Sequence, residues 1–181
     1  MVSLPSDKSN LVIIERLCMS ISFIALKSGN TFWSDSMKDV ISFGSVDSKQ
    51  CHYALIIIKN TALIFEQQVF DNRTTAIISN FLRENLEMVL EYLNNIVSSP
   101  QAVAKETYIE AISAANHWCE YSTKTLIPHE GFITNIFALL NADPKVAVIH
   151  GQDMSKKVIK VVRKLLNKSK YAKLIENVMN I

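Results

Sequence analysis

Residues 101–122 read QAVAKETYIEAISAANHWCEYS, and this stretch decides the architecture. It follows a helix stop at Ser98-Ser99-Pro100. Val103, Tyr108, Ile109, Ile112, Ala115 and Cys119 fall on one side of a helix, at spacings dominated by three and four residues. Ala111, Ala114 and Ala115 are small enough to let a second helix approach closely. Trp118 stands near the end. A helix this apolar needs neighbours on both sides, so the rest of the chain is read for what it supplies.

It supplies helices. On the N-terminal side, Asn10 to Lys27 carries the apolar set Leu11, Ile14, Leu17, Cys18, Ile21, Ile24 and Ala25, with Gly29 placed as a left-handed cap. A second helix is expected from Thr31 to Phe43, closed by Gly44. Its inward residues are Trp33, Met37, Val40 and Ile41, while Ser34, Asp35, Lys38 and Asp39 face away. Asp47 or Ser48 caps a third helix that runs to about Phe70. The run Ala54-Leu55-Ile56-Ile57-Ile58 has strand propensity. Its apolar period nevertheless continues at three and four through Phe65 with no Gly or Pro at either side, so it reads as helix. Asp71 or Asn72 caps a fourth helix to about Val97, with Ile78, Phe81, Leu82, Met88, Val89, Leu93 and Ile96 inward and Glu84, Glu87 and Glu91 on the other side.

Beyond the central stretch, Pro128-His129 introduces a sixth helix over 130–140. Asp143 to Gly151 is either a helix opened by Pro144 or a long loop. A seventh helix over 154–167 and an eighth over 171–179 complete an expected set of eight helices without a sheet.

Composition agrees. Four Gly and four Pro in 181 residues are few for a fold of strands and tight turns. The formal charge of +2 is uneven: residues 151–181 hold 8 basic and 2 acidic side chains, and residues 1–150 hold 11 basic and 15 acidic. A basic end of this kind suits acidic protein, nucleic acid or a membrane surface, or simple solvation of a helix face. Cys18, Cys51 and Cys119 are an odd number without close spacing, which suggests a reducing compartment and no disulfide framework. Glu15 and Arg16 interrupt the first apolar run, so no signal peptide is expected, and no run reaches the ~20 residues of a membrane span.

The first helices of successive pairs begin near Asn10, Lys49, Ala102 and Ser155, at steps of 39, 53 and 53 residues. Helix–turn–helix units at a period of roughly 40–50 residues are what HEAT-type arrays show. The expected fold is therefore an all-α, HEAT-like α-solenoid of about four antiparallel pairs, over 9–44, 48–99, 101–141 and 144–181, forming a fragment of a longer array. A closed bundle of eight helices is the alternative.

Catalytic and metal constellations are missing from the pattern. Cys51 and His52 are adjacent and point apart on a helix, and His117 and Cys119 also diverge. Neither has metal-ligand spacing. No Gly-rich phosphate loop or nucleophile elbow occurs. Glu106 and Glu110 share a face, but a lone carboxylate pair is usually solvated. The expectation is a binding protein with no enzymatic activity and no cofactor. Its candidate contact residues are Asp35, Lys38, Asp39, Glu84, Glu87 and Glu91, with a basic patch of Lys156, Lys157, Lys160, Arg163 and Lys164 on the seventh helix. Aromatic residues for base stacking are lacking beside that patch, which argues against single-stranded nucleic acid.

The succession LVIIERLCMSISFIALKSGNTFWSDSMKDVISF, an apolar helix, and then AISAANHWCEYS resembles the importin-β superfamily of nuclear transport receptors, most of all its importin-13 and transportin-3 branch. Ile24, Ala25, Leu26 and Trp33 match a small-residue helix followed by a Trp that opens the next helix. Ala114, Ala115, Asn116, His117 and Trp118 match a later helix ending. The short loop after Phe43 departs from relatives, which often carry a longer linker there. The resemblance implies protein cargo carried through the nuclear pore under RanGTP control, between cytoplasm and nucleus. It implies Ran, cargo and Phe-Gly nucleoporins as partners and no membrane. It places the second helices of pairs on a concave binding face. A HEAT-repeat scaffold of a phosphatase or kinase complex is the rival reading, and an RNA-binding solenoid using the basic end a third.

Overall fold

The computed structural model describes residues 8–98, 104–121, 148–149 and 152–153. Five helices account for nearly all of them: α1 (Lys8–Phe32), α2 (Ser36–Gly44), α3 (Ser48–Gln67), α4 (Asn72–Val97) and α5 (Lys105–Trp118), followed by a 3₁₀ turn, Cys119–Tyr121. Local chemistry sets several boundaries. The Asp47 carboxylate accepts the Gln50 N–H at 2.8 Å, and that of Asp71 accepts the Thr74 N–H at 2.9 Å. Each thereby satisfies one of the donors that a helix start leaves unpaired. The isoleucine-rich run of α3 is helical, as its period requires.

α3, not the stretch at 101–122, is the centre of the described fold. Its largest contacts are with α5, α1 and α2. Lys59 on α3 meets Glu110 on α5, and Glu66 meets His117. The partners advance together, seven residues on each helix, so α3 and α5 run parallel. α1 joins the same layer in the same direction. Ser22 on α1 reaches the Ile57 carbonyl, and Lys27, further along α1, reaches the ring of Phe70 just past the end of α3. α2 and α4 are the returning helices. α2 packs chiefly on α3, and α4 chiefly on α5. Packing is therefore tighter across the short connections at 45–47 and 98–104 than between α1 and α2 or between α3 and α4.

Two buried donors fasten this layer at its midpoint. The Trp118 indole Nε1 donates to the Ile58 carbonyl at 2.8 Å, and the Ser22 hydroxyl lies 2.9 Å from the Ile57 carbonyl. Both side chains are fully buried. α3 is thus held from both flanks at neighbouring residues. Around this point Leu26, Leu55, Ile58, Ile112 and Trp118 form the dry core, which Phe81, Leu82, Leu90 and Leu93 of α4 extend. Burying each such side chain contributes about 1.5–3 kcal/mol.

The structure corrects several expectations. α1 does not stop at Gly29 but continues to Phe32. A glycine costs about 1 kcal/mol inside a helix without forbidding it, and no proline follows to break the chain. On the same helix Leu17 and Ile24 are exposed, whereas Ser22 and Leu26 are buried. α3 meets α1 slightly to one side of the face inferred from apolar residues alone. Gly44 is the last residue of α2, followed by Ser45 in right-handed helical geometry, so it does not act as a left-handed cap. Its role is space. A methyl there would lie 2.5 Å from the Ala54 Cβ and against the Tyr92 hydroxyl. α3 ends at Gln67 rather than Phe70, and the Phe70 ring folds back to stack on Phe65.

The expectation of no sheet is also corrected in one detail. Val148–Ile149 pairs antiparallel with Gln152–Asp153, two residues in each strand. Val148 and Ile149 are β-branched, which favours a strand there, and Pro144, which offered a helix start, lies outside the described residues. The fold class remains all-α. The helices expected over 130–140, 154–167 and 171–179 lie outside the described residues.

Candidate protein-binding surface

Charge reaches the surface on the returning helices. α4 buries Ile78, Phe81, Leu82, Val89, Leu93 and Ile96, and half-buries Met88. Turning that side inward turns Glu84, Glu87 and Glu91 outward, and all three are exposed. The same outward line begins with Arg73, Asn80 and Arg83, also exposed. The Arg83 guanidinium is held along the helix by the Ser79 hydroxyl at 2.8 Å and the Asn80 amide oxygen at 3.2 Å. The outer face of α4 is therefore basic over its first half and acidic over its second. The arginines were legible in the sequence at the same helical spacing, but the run of three glutamates draws attention away from them.

At the start of α2, Asp35 just before the helix and Lys38 and Asp39 in its first turn are exposed as expected. Asp39 also has a structural role: its carboxylate accepts the Trp33 indole N–H at 2.7 Å and ties the link after α1 to the first turn of α2. α2 and α4 touch each other, with Gly44 against the Tyr92 hydroxyl. That contact lies beside Glu91 in the chain, and the nine residues from Asp35 to Gly44 separate it from Asp35 by about 13 Å of helix. Phe43 and Val46, exposed at the end of α2, add an apolar element that periodicity alone does not announce. The basic patch of Lys156, Lys157, Lys160, Arg163 and Lys164 lies outside the described residues.

The residues that first suggest chemistry have structural surroundings. Cys51 is buried 3.5 Å from the Tyr92 hydroxyl. Cys119 is fully buried, and His117 pairs with Glu66 at 2.9 Å. Glu110 is engaged by Lys59 at 2.6 Å. Burial raises the pKa of the Cys18 thiol, away from the thiolate that reacts. Burial likewise raises those of Tyr92, helped by its bond to Cys51, and Tyr108, so both hydroxyls stay protonated. The Tyr108 hydroxyl donates to the Val97 carbonyl at 3.4 Å, covering an acceptor that the end of α4 leaves over. Among the described residues no group of three or more His, Cys, Asp and Glu side chains is gathered as a metal site would need, and no helix is long and apolar enough to cross a membrane.

This arrangement, a parallel layer of α1, α3 and α5 with α2 and α4 returning against it, is that of a HEAT-like solenoid. The model of a family described as exportin 1-like protein matches residues 10–150, from within α1 through α5 to the short hairpin. No curated protein and no solved structure gives a match. With most of the chain covered by that match and its helices stacked in this way, the protein belongs to the exportin 1-like family, within the importin-β superfamily of nuclear transport receptors.

Proposed function

We propose that the chain is the cargo- and Ran-responsive part of a nuclear transport receptor that carries protein cargo through the nuclear pore and shuttles between nucleus and cytoplasm. The observation that carries this reading is the exportin 1-like match over residues 10–150. Two features of the fold support this reading. The odd-numbered helices form a packed layer, and Asp35 at the start of α2, Lys38 and Asp39 on α2, and Glu84, Glu87 and Glu91 on α4 are at the surface. In this reading α2 and α4 line the concave side. Their carboxylates steer a basic partner by raising association rate and specificity, and Asp39 also holds the Trp33 indole. Binding acts without catalysis.

The direct test is a pull-down of purified Ran, loaded with GTP or with GDP, on the 181-residue chain and on a receptor that contains it. Retention of the GTP form over the GDP form is the expected result. Equal retention of both forms, or of neither by the receptor, would overturn the Ran-controlled reading and leave a binding scaffold.

A further inference from the structure

We draw no further inference here: the strongest candidate, the apolar flank of α1 formed by Ile13, Leu17 and Ile24, is exposed along the outermost described helix, and nothing in the structure shows what covers it.

Discussion

Gly44→Ala sets two well-characterised effects against each other. An alanine is worth up to about 1 kcal/mol more than glycine in a helix, part of it through a less flexible unfolded chain. At residue 44, however, the new methyl meets the Ala54 Cβ at 2.5 Å and the Tyr92 hydroxyl. Ala54 is fully buried, and its Cβ is fixed to the α3 backbone. It cannot rotate away. Tyr92 is nearly buried, and its hydroxyl already faces the Cys51 sulfur at 3.5 Å. Relief therefore requires α2 to shift on α3. Overpacking of this kind costs about 1–3 kcal/mol, and with both obstructing atoms held in place the cost falls in the upper part of that range, so after the propensity gain a net destabilisation of up to about 2 kcal/mol is expected. Urea unfolding followed by circular dichroism measures it as a lower midpoint with an unchanged slope. Ala54→Gly removes one obstacle and Tyr92→Phe the other. Each should restore part of the loss in the Gly44→Ala background, giving a coupling energy in a double-mutant cycle. A Gly44→Ala protein more stable than the parent, or one that neither second change improves, would refute the reasoning that α2 is pressed onto α3 and α4 at this residue.

Trp118→Phe keeps most of the ring but loses the N–H bound to the Ile58 carbonyl. It should cost about 1–2 kcal/mol, against about 3–5 for Trp118→Ala, measured by denaturant unfolding. A neutral Trp118→Phe would show that the indole bond contributes nothing. Asp71 has its pKa lowered by the Thr74 hydroxyl and then by backbone N–H groups. Its contribution to stability is therefore present above the unfolded-state carboxyl value and disappears as pH falls through the lower folded value. Asp71→Asn, followed from pH 7 down to 2, should flatten the acid limb of the stability curve, and an unaltered limb would assign that slope to other carboxylates. Reversing Glu84, Glu87 and Glu91 to Lys should leave helix content unchanged, because all three are exposed. In the receptor it should weaken binding of Ran or a basic cargo in an interaction that falls as salt rises. Unchanged binding at low salt would reduce the stripe to a solubility feature.

The sequence by itself determined what depends on neighbours a few residues away. The carboxylates of Asp47 and Asp71 reach donors three residues on, so both helix starts were legible. The period of three and four through α3 outweighed its strand propensity for the same local reason. The outward placement of Asp35, Lys38, Asp39, Glu84, Glu87 and Glu91 followed from the apolar residues opposite them. What only the tertiary structure decided rests on contacts between helices, most of them far apart in the chain, such as Ser22 with Ile57 and Trp118 with Ile58. Periodicity gives a face about a third of a helix wide, and the line along which α3 crosses it determines that Ser22 is covered and Leu17 is not. The requirement for Gly44 comes from Ala54 and Tyr92. The structural role of Glu110 comes from Lys59, and that of His117 from Glu66. The central place of α3 emerges only when helices on both sides dock on it, because a local pattern records that a side must be buried but not by what.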